Sequence, residues 1–393
     1  MGDSPLIVAI CPPGVKDCFG HPVEHKGMTR FANLLLCLAA TLLLIVGPPP
    51  RSARAEPPAV RVSFDDRAVR DLLDLMVAKD ASDASLDRWL DLPANRNLLR
   101  VGALEGTVTR EQLKERARAL IEGKASPQRP DDPARLVIAR PETYRKMLDD
   151  LKATADGRSR RIADRVRAFS PEVGGEGPID ATVYLHLAGT WDAINHQGAI
   201  YLNLYYWHDY NRPGWDGLNM IVAHETMHSV QNRAYGNPED QETGEGSFLT
   251  ALSKIQREGT ARYVEVETDP EPYAEYTYGF FYRAVDQERL RAFARQLPLL
   301  APLTEACYPT FDRAKFAETY TNGMDSGGPF YVVGHGIAKA IDEKLGRAAL
   351  LETVARGPKD FFGKYLQLCE KDTSLPPLPG RTAEAVRKMK ERL

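Results

Sequence analysis

The chain has 393 residues, 43% of them hydrophobic and 27% charged, which is an ordinary balance for a folded globular protein with a core large enough to need no disulfide scaffold. With 51 basic and 54 acidic residues the formal net charge is -3, so nothing in the charge favours a nucleic-acid partner.

Near the N-terminus, Leu34 to Val46 is an almost unbroken apolar run preceded by Lys26 and Arg30. It is shorter than the ~20 residues of a membrane-spanning helix. Ala53 and Ala55 then give the small-x-small pattern of a signal-peptidase site. Residues 1–55 are therefore expected to be an N-terminal extension and signal peptide cleaved after Ala55, making the protein exported, either periplasmic or secreted. An uncleaved signal anchor is the alternative. Cleavage would remove Cys11, Cys18 and Cys37 and leave Cys307 and Cys369, which sequence allows either as one disulfide or as two free thiols.

Residues 56–170 read as a helical region. Leu72, Leu73, Leu75 and Met76 form one apolar cluster, and Leu86, Trp89 and Leu90 another. Thr109 and Gln112 have the spacing of a capping box ahead of Leu113, Ala117, Leu120 and Ile121. Pro141 suits a first helical position. Pro171 to Pro178, with Gly174, Gly175 and Gly177, marks a boundary, and 171–393 is expected to form a second domain. Thr182–Leu187 and Ala199–Tyr205 read as strands, with His196 to Gly198 as a turn between them and the second strand as a sheet edge. Helices are expected at about 247–266, 284–296, 329–345, 347–355 and 382–392. The fold class is α+β, mostly helical.

The chemistry centres on His224-Glu225-Thr226-Met227-His228. Residues four apart share one face of a helix, so the two imidazoles can point at a single ion. Zinc accepts neutral imidazole nitrogens in a tetrahedral shell, and it lowers the pKa of bound water to about 7, where Glu225 can take the proton. Ile221, Val222, Met227 and Val230 supply the apolar flanks such a helix needs. The pattern thus predicts Zn2+ held by His224 and His228, with Glu225 as general base.

A catalytic zinc site needs a third protein ligand. Ala234 occupies the place of the third histidine in the long metzincin pattern, so that version is absent. Glu258 is the preferred candidate, on a face where Leu252, Ile255, Gly259 and Ala261 are otherwise apolar or small. A carboxylate there is costly unless something pairs with it. A salt-bridged surface glutamate is the alternative reading, and Glu242, Glu245 and Glu265 are weaker candidates. Tyr331 and His335, four apart on an expected helix behind Asp325 to Gly328, are candidate donors to a substrate oxyanion, with plain packing as the alternative. His186, His196 and His208 read as structural or exposed.

His224-Glu225-x-x-His228 followed by Glu258-Gly259-x-Ala261 resembles the gluzincin metallopeptidases. It is more closely similar to a bacterial family of zinc-dependent peptidases of uncharacterised substrate, a likeness that extends over about 180–370 through Gly328-Pro329-Phe330-Tyr331 and Lys344-Leu345-Gly346. The resemblance implies a zincin-like core with a small sheet, a His-His-Glu zinc site and a peptide or protein substrate. Thermolysin-like members carry an aspartate four residues beyond the glutamate ligand to orient a histidine. Here that place is Arg262, so the orienting group must be another. A non-catalytic zinc or peptide-binding protein on the same fold, or a zinc hydrolase of a non-peptide amide or ester, are the rival readings.

Overall fold

The computed structural model describes residues 57–105, 108–124, 134–172, 177–187, 193–196, 198–204, 216–236, 242–266, 292–324 and 328–391. The apolar run 34–46, Cys11, Cys18 and Cys37, the expected cleavage point at Ala55, the strand end expected at Tyr205, His208 and Asp325 to Gly327 lie outside them. Within Ala55–Leu393, which forms one compact unit, a short sheet carries helices that bring the motif and Glu258 together.

The sheet has four strands in the order β1-β2-β4-β3: β1 (Val60–Asp65), β2 (Ile179–His186), β3 (Ala193–His196) and β4 (Ala199–Asn203). β1 runs parallel to β2, from Val60 beside Ile179 to Asp65 beside Tyr184. β2 runs parallel to β4, from Thr182 beside Ala199 to His186 beside Asn203. Alternation decides which face is covered: Ile179, Ala181, Val183 and Leu185 are buried, as period-two side chains on a packed face must be.

β4 is not the expected edge. β3 folds back antiparallel along it, from Ala193 beside Leu202 to His196 beside Ala199, and takes the edge itself. The His196–Gly198 turn therefore joins β3 to β4 rather than β2 to β4. It depends on Gly198, whose φ of +83° lies in the left-handed region and whose missing Cβ leaves room for the Asp180 carbonyl.

The N-terminal region is helical, as expected, apart from β1. Its helices are α1 (Arg67–Ala78), α2 (Asp83–Leu90), α3 (Pro93–Glu105), α4 (Arg110–Ile121), α5 (Ala134–Ala139) and α6 (Pro141–Ala168). The capping box forms in full: the Thr109 hydroxyl accepts from the Gln112 amide at 3.2 Å, and the Gln112 side chain accepts from the Thr109 amide at 2.9 Å. Trp89 donates its indole N–H to the Ala68 carbonyl at 2.8 Å, locking α2 onto α1. The ladder between β1 and β2 crosses the 171–178 segment, so a strand from the N-terminal region completes the sheet.

The rest is helical: α7 (Asp216–Ala234), α8 (Gly244–Val266), α9 (Phe293–Gln296), α10 (Leu300–Cys307), α11 (Arg313–Met324), α12 (Pro329–Leu345), α13 (Arg347–Arg356), α14 (Pro358–Lys371) and α15 (Gly380–Glu391). α10, α11 and α14 were not foreseen from the sequence, and of the helix expected at 284–296 only α9 falls among the described residues. Cys307 and Cys369 are both free thiols. Among the described residues no helix is long and apolar enough to cross a membrane.

Candidate metal centre

α7 carries the motif through the interior: Leu218 to Met227 are buried without interruption. His224 and His228 lie on the side that faces α8, and α8 presents Glu258 to both. Glu258 Oε2 is 3.3 Å from His224 Nε2 and 3.5 Å from His228 Nε2. The three ligand atoms all lie within 4.8 Å of one another. A tetrahedral zinc ion with bonds of ~2.0–2.1 Å sets its ligand atoms about 3.3 Å apart, so the spacing suits that ion.

Each imidazole is held through its other nitrogen. The Gln231 side chain donates its NH2 to the Arg257 carbonyl at 2.9 Å, which leaves its oxygen to accept from His228 Nδ1 at 2.8 Å. His224 Nδ1 lies 3.0 Å from Glu265 Oε2 and donates to it. Both Nε2 lone pairs are thereby aimed at the shared space beside Glu258. Glu265, a weaker ligand candidate in the sequence, is thus the group that orients His224. It lies two helical turns beyond Glu258, is wholly buried, and has Arg262 3.6 Å from its other oxygen. Arg262, which stands where thermolysin-like proteins have their aspartate, supports the carboxylate that replaces it.

The metal-free groups hold one another by charge. Burial disfavours a charged His224, yet Glu258 and Glu265 outweigh burial and lift its pKa to about 10. Burial also works against ionised Glu258, but Lys254 and the histidines hold its carboxyl well below the usual carboxylate range. Two imidazoles and a buried carboxylate, each with its remaining polar atom held by another group, form the donor set that zinc takes. The residues therefore fit zinc.

Glu225 is 8% exposed, on the helix that bears both histidines. Its carbonyl accepts from the Asn195 side chain at 2.6 Å, and the same NH2 also donates to Ser229 Oγ at 3.0 Å. Edge strand β3 is thus pinned to the motif helix. Glu258 uses its second oxygen for Lys254, whose Nζ is 2.6 Å from Oε1. Sequence reasoning missed Lys254, although its place one turn before Glu258 on the same helix is a readable i,i+4 signal.

α12 crosses α8 at two glycines. A Cβ on Gly259 would run into the Gly334 backbone, and one on Gly334 into the Ile255 carbonyl. Tyr331 is half-buried on α12. His335 is 3% exposed, its ring edge-on to Tyr263 with centroids 5.6 Å apart, and burial pushes its pKa down to about 3 with help from Arg262 and Lys339. Neither belongs to the metal cluster. Glu242 is exposed, and Glu245 lines a separate cleft of about 280 Å³ with Tyr308, Arg381 and Lys388.

A histidine pair four apart on one buried helix, completed by a carboxylate from the next, makes this a protein with a candidate zinc site. The chain belongs to the family described as putative zinc dependent peptidase (DUF5700), whose model matches residues 86–374 and so spans every residue of the centre. No curated protein and no solved structure matches the chain.

Proposed function

We propose that this protein is an exported zinc metallopeptidase of the gluzincin type that hydrolyses peptide bonds with Glu225 as general base. The observation that carries this reading is the convergence of His224, His228 and Glu258 on one point beside the helix that bears Glu225. Zinc, when bound, supplies Lewis acidity that polarises a carbonyl and brings the pKa of water near it to about 7.

The chain's own groups do the rest. With a metal in place of the proton that His224 Nε2 otherwise carries, His224 and His228 would offer neutral Nε2 lone pairs, while Glu265 and Gln231 accept from their Nδ1 atoms. Glu258 offers Oε2 while Lys254 occupies Oε1. The Glu225 carboxylate takes a proton from the attacking water and returns it to the leaving amine, a transfer worth ~10²–10⁴ in rate. Binding a metal or a peptide needs no base at that position, so the retained glutamate favours turnover over a purely binding role. Tyr331 and His335 belong to the proposal as groups on the helix crossing α8, and the half-buried Tyr331 phenol is the more accessible. Export and removal of residues 1–55 rest on the leader sequence.

The test pairs two measurements on protein beginning at Glu56, with and without Glu225→Gln: bound zinc, and cleavage of a mixed peptide pool. Both forms are expected to hold one zinc, and only the parent to cleave, by a factor of ~10² or more. Zinc binding without cleavage in the parent would move the binding-protein or non-peptide-hydrolase reading ahead. Absence of zinc from the parent would overturn the site.

A further inference from the structure

The lysine beside the centre has a second capacity. Lys254 is 45% exposed while Glu258, to which it is bonded, is 5% exposed. The lysine side chain is therefore partly open to solvent, and its ammonium group lies one carboxyl group away from the oxygen that faces the histidines. An ammonium carries three N–H donors. The bond to Oε1 uses one and leaves the others free to turn toward whatever enters from solvent.

Peptide hydrolysis needs a donor at the position where the carbonyl oxygen becomes an anion. His335, at 3% exposure behind Tyr263, offers its ring to the interior. Lys254 carries a full positive charge and is reachable. α11 brings Tyr320 to the same edge, its ring stacked on Phe316 with centroids 5.6 Å apart and its hydroxyl within the fields of Lys254 and Glu258.

We propose that Lys254 is a catalytic residue of this centre: its ammonium group donates to the scissile carbonyl oxygen as that oxygen becomes negative, while a second N–H keeps Glu258 Oε1 occupied. This rests on the metallopeptidase reading and adds an electrophile to it. The ion pair also moves electron density away from Glu258, so one side chain both sharpens the metal's acidity and meets the charge it creates.

The experiment compares the parent with Lys254→Met and Lys254→Arg, all beginning at Glu56. Zinc affinity is measured by chelator competition. Binding to the zinc-loaded proteins is then measured for two probes built on the pool peptide that the parent cleaves fastest. One is its phosphinic analogue, whose tetrahedral anion copies the charged carbonyl adduct, and the other is the uncleaved amide on a Glu225→Gln background. Lys254→Met is expected to keep stoichiometric zinc at saturating metal and to bind the phosphinate ~10²–10³-fold more weakly, with the amide affected less than about threefold. Lys254→Arg, which keeps the charge, is expected to recover most of that loss. Equal loss for both probes, or none for the phosphinate, overturns the proposal. So does loss of zinc at saturation in Lys254→Met with recovery in Lys254→Arg, because the lysine would then only position Glu258. A parent that binds zinc but cleaves no peptide fails the metallopeptidase reading instead, before Lys254 is tested.

Discussion

At the scale of single residues the centre depends on groups that never touch a metal. Glu265 is buried with its carboxylate on His224 Nδ1, so removing its charge weakens the ligand without deleting it. Glu265→Gln is expected to lower zinc affinity by ~10–100-fold in a chelator competition while the fold survives. An unchanged affinity would show that the contact orients nothing. His186 gives a second expectation. It is 3% exposed on β2, and burial pushes its pKa down to about 3. A histidine stays near 6.5 in the unfolded chain. Below that value the unfolded state takes up a proton that the folded state refuses, so the stability contributed by neutral His186 is present above pH 6.5 and is lost as pH falls toward about 3. The slope is about 1.4 kcal/mol per pH unit at most. Urea unfolding at pH 7, 6 and 5 should show a shallower loss for His186→Gln than for the parent, and equal slopes would contradict the assignment.

At the scale of elements, the crossing of α8 and α12 sets how Glu258 is aimed. Its two glycines bring backbone against backbone, and Gly334→Ala would push the Ile255 carbonyl and with it the turn that leads to Glu258. The expected cost is ~1–3 kcal/mol of stability, accompanied by weaker zinc binding. A melt and zinc affinity equal to the parent's would mean that the helices part without consequence. Elements also show what sequence can and cannot say. The motif helix, the Thr109 capping box and α12 from Pro329 to Leu345 were legible because capping groups, helix-starting prolines and apolar spacing are local. Glu258 was legible for a related reason: a carboxylate among Leu252, Ile255 and Ala261 needs a partner. The role of Glu265 was hidden, because it follows from the way α7 lies against α8 rather than from either sequence. β1 was overlooked although Val60, Val62 and Phe64 alternate, since its partner β2 lies more than a hundred residues away. The edge assignment failed for the same reason: β3 is only four residues long, and nothing local says which neighbour it will choose.

At the scale of the whole molecule, the matched family segment and the folding unit are not the same length. Residues 86–374 contain every centre residue, but they omit β1, α1 and α15. Those elements bury Val60, Val62, Val69, Leu72, Leu73, Val386 and Met389. At ~1.5–3 kcal/mol for each fully buried side chain, their loss is comparable with the ~5–15 kcal/mol that holds a typical domain together. A fragment covering 86–374 is therefore expected to lack a cooperative melt that 57–393 shows. A sharp transition in the shorter fragment would mean that the sheet closes without β1.

The Gln231 side chain reaches across from one ligand helix to the backbone of the other while it holds His228. That bridge joins α7 to α8 without calling on the ion. The two helices are therefore expected to keep their places when a chelator removes the ion, which matching far-UV circular dichroism with and without chelator would check.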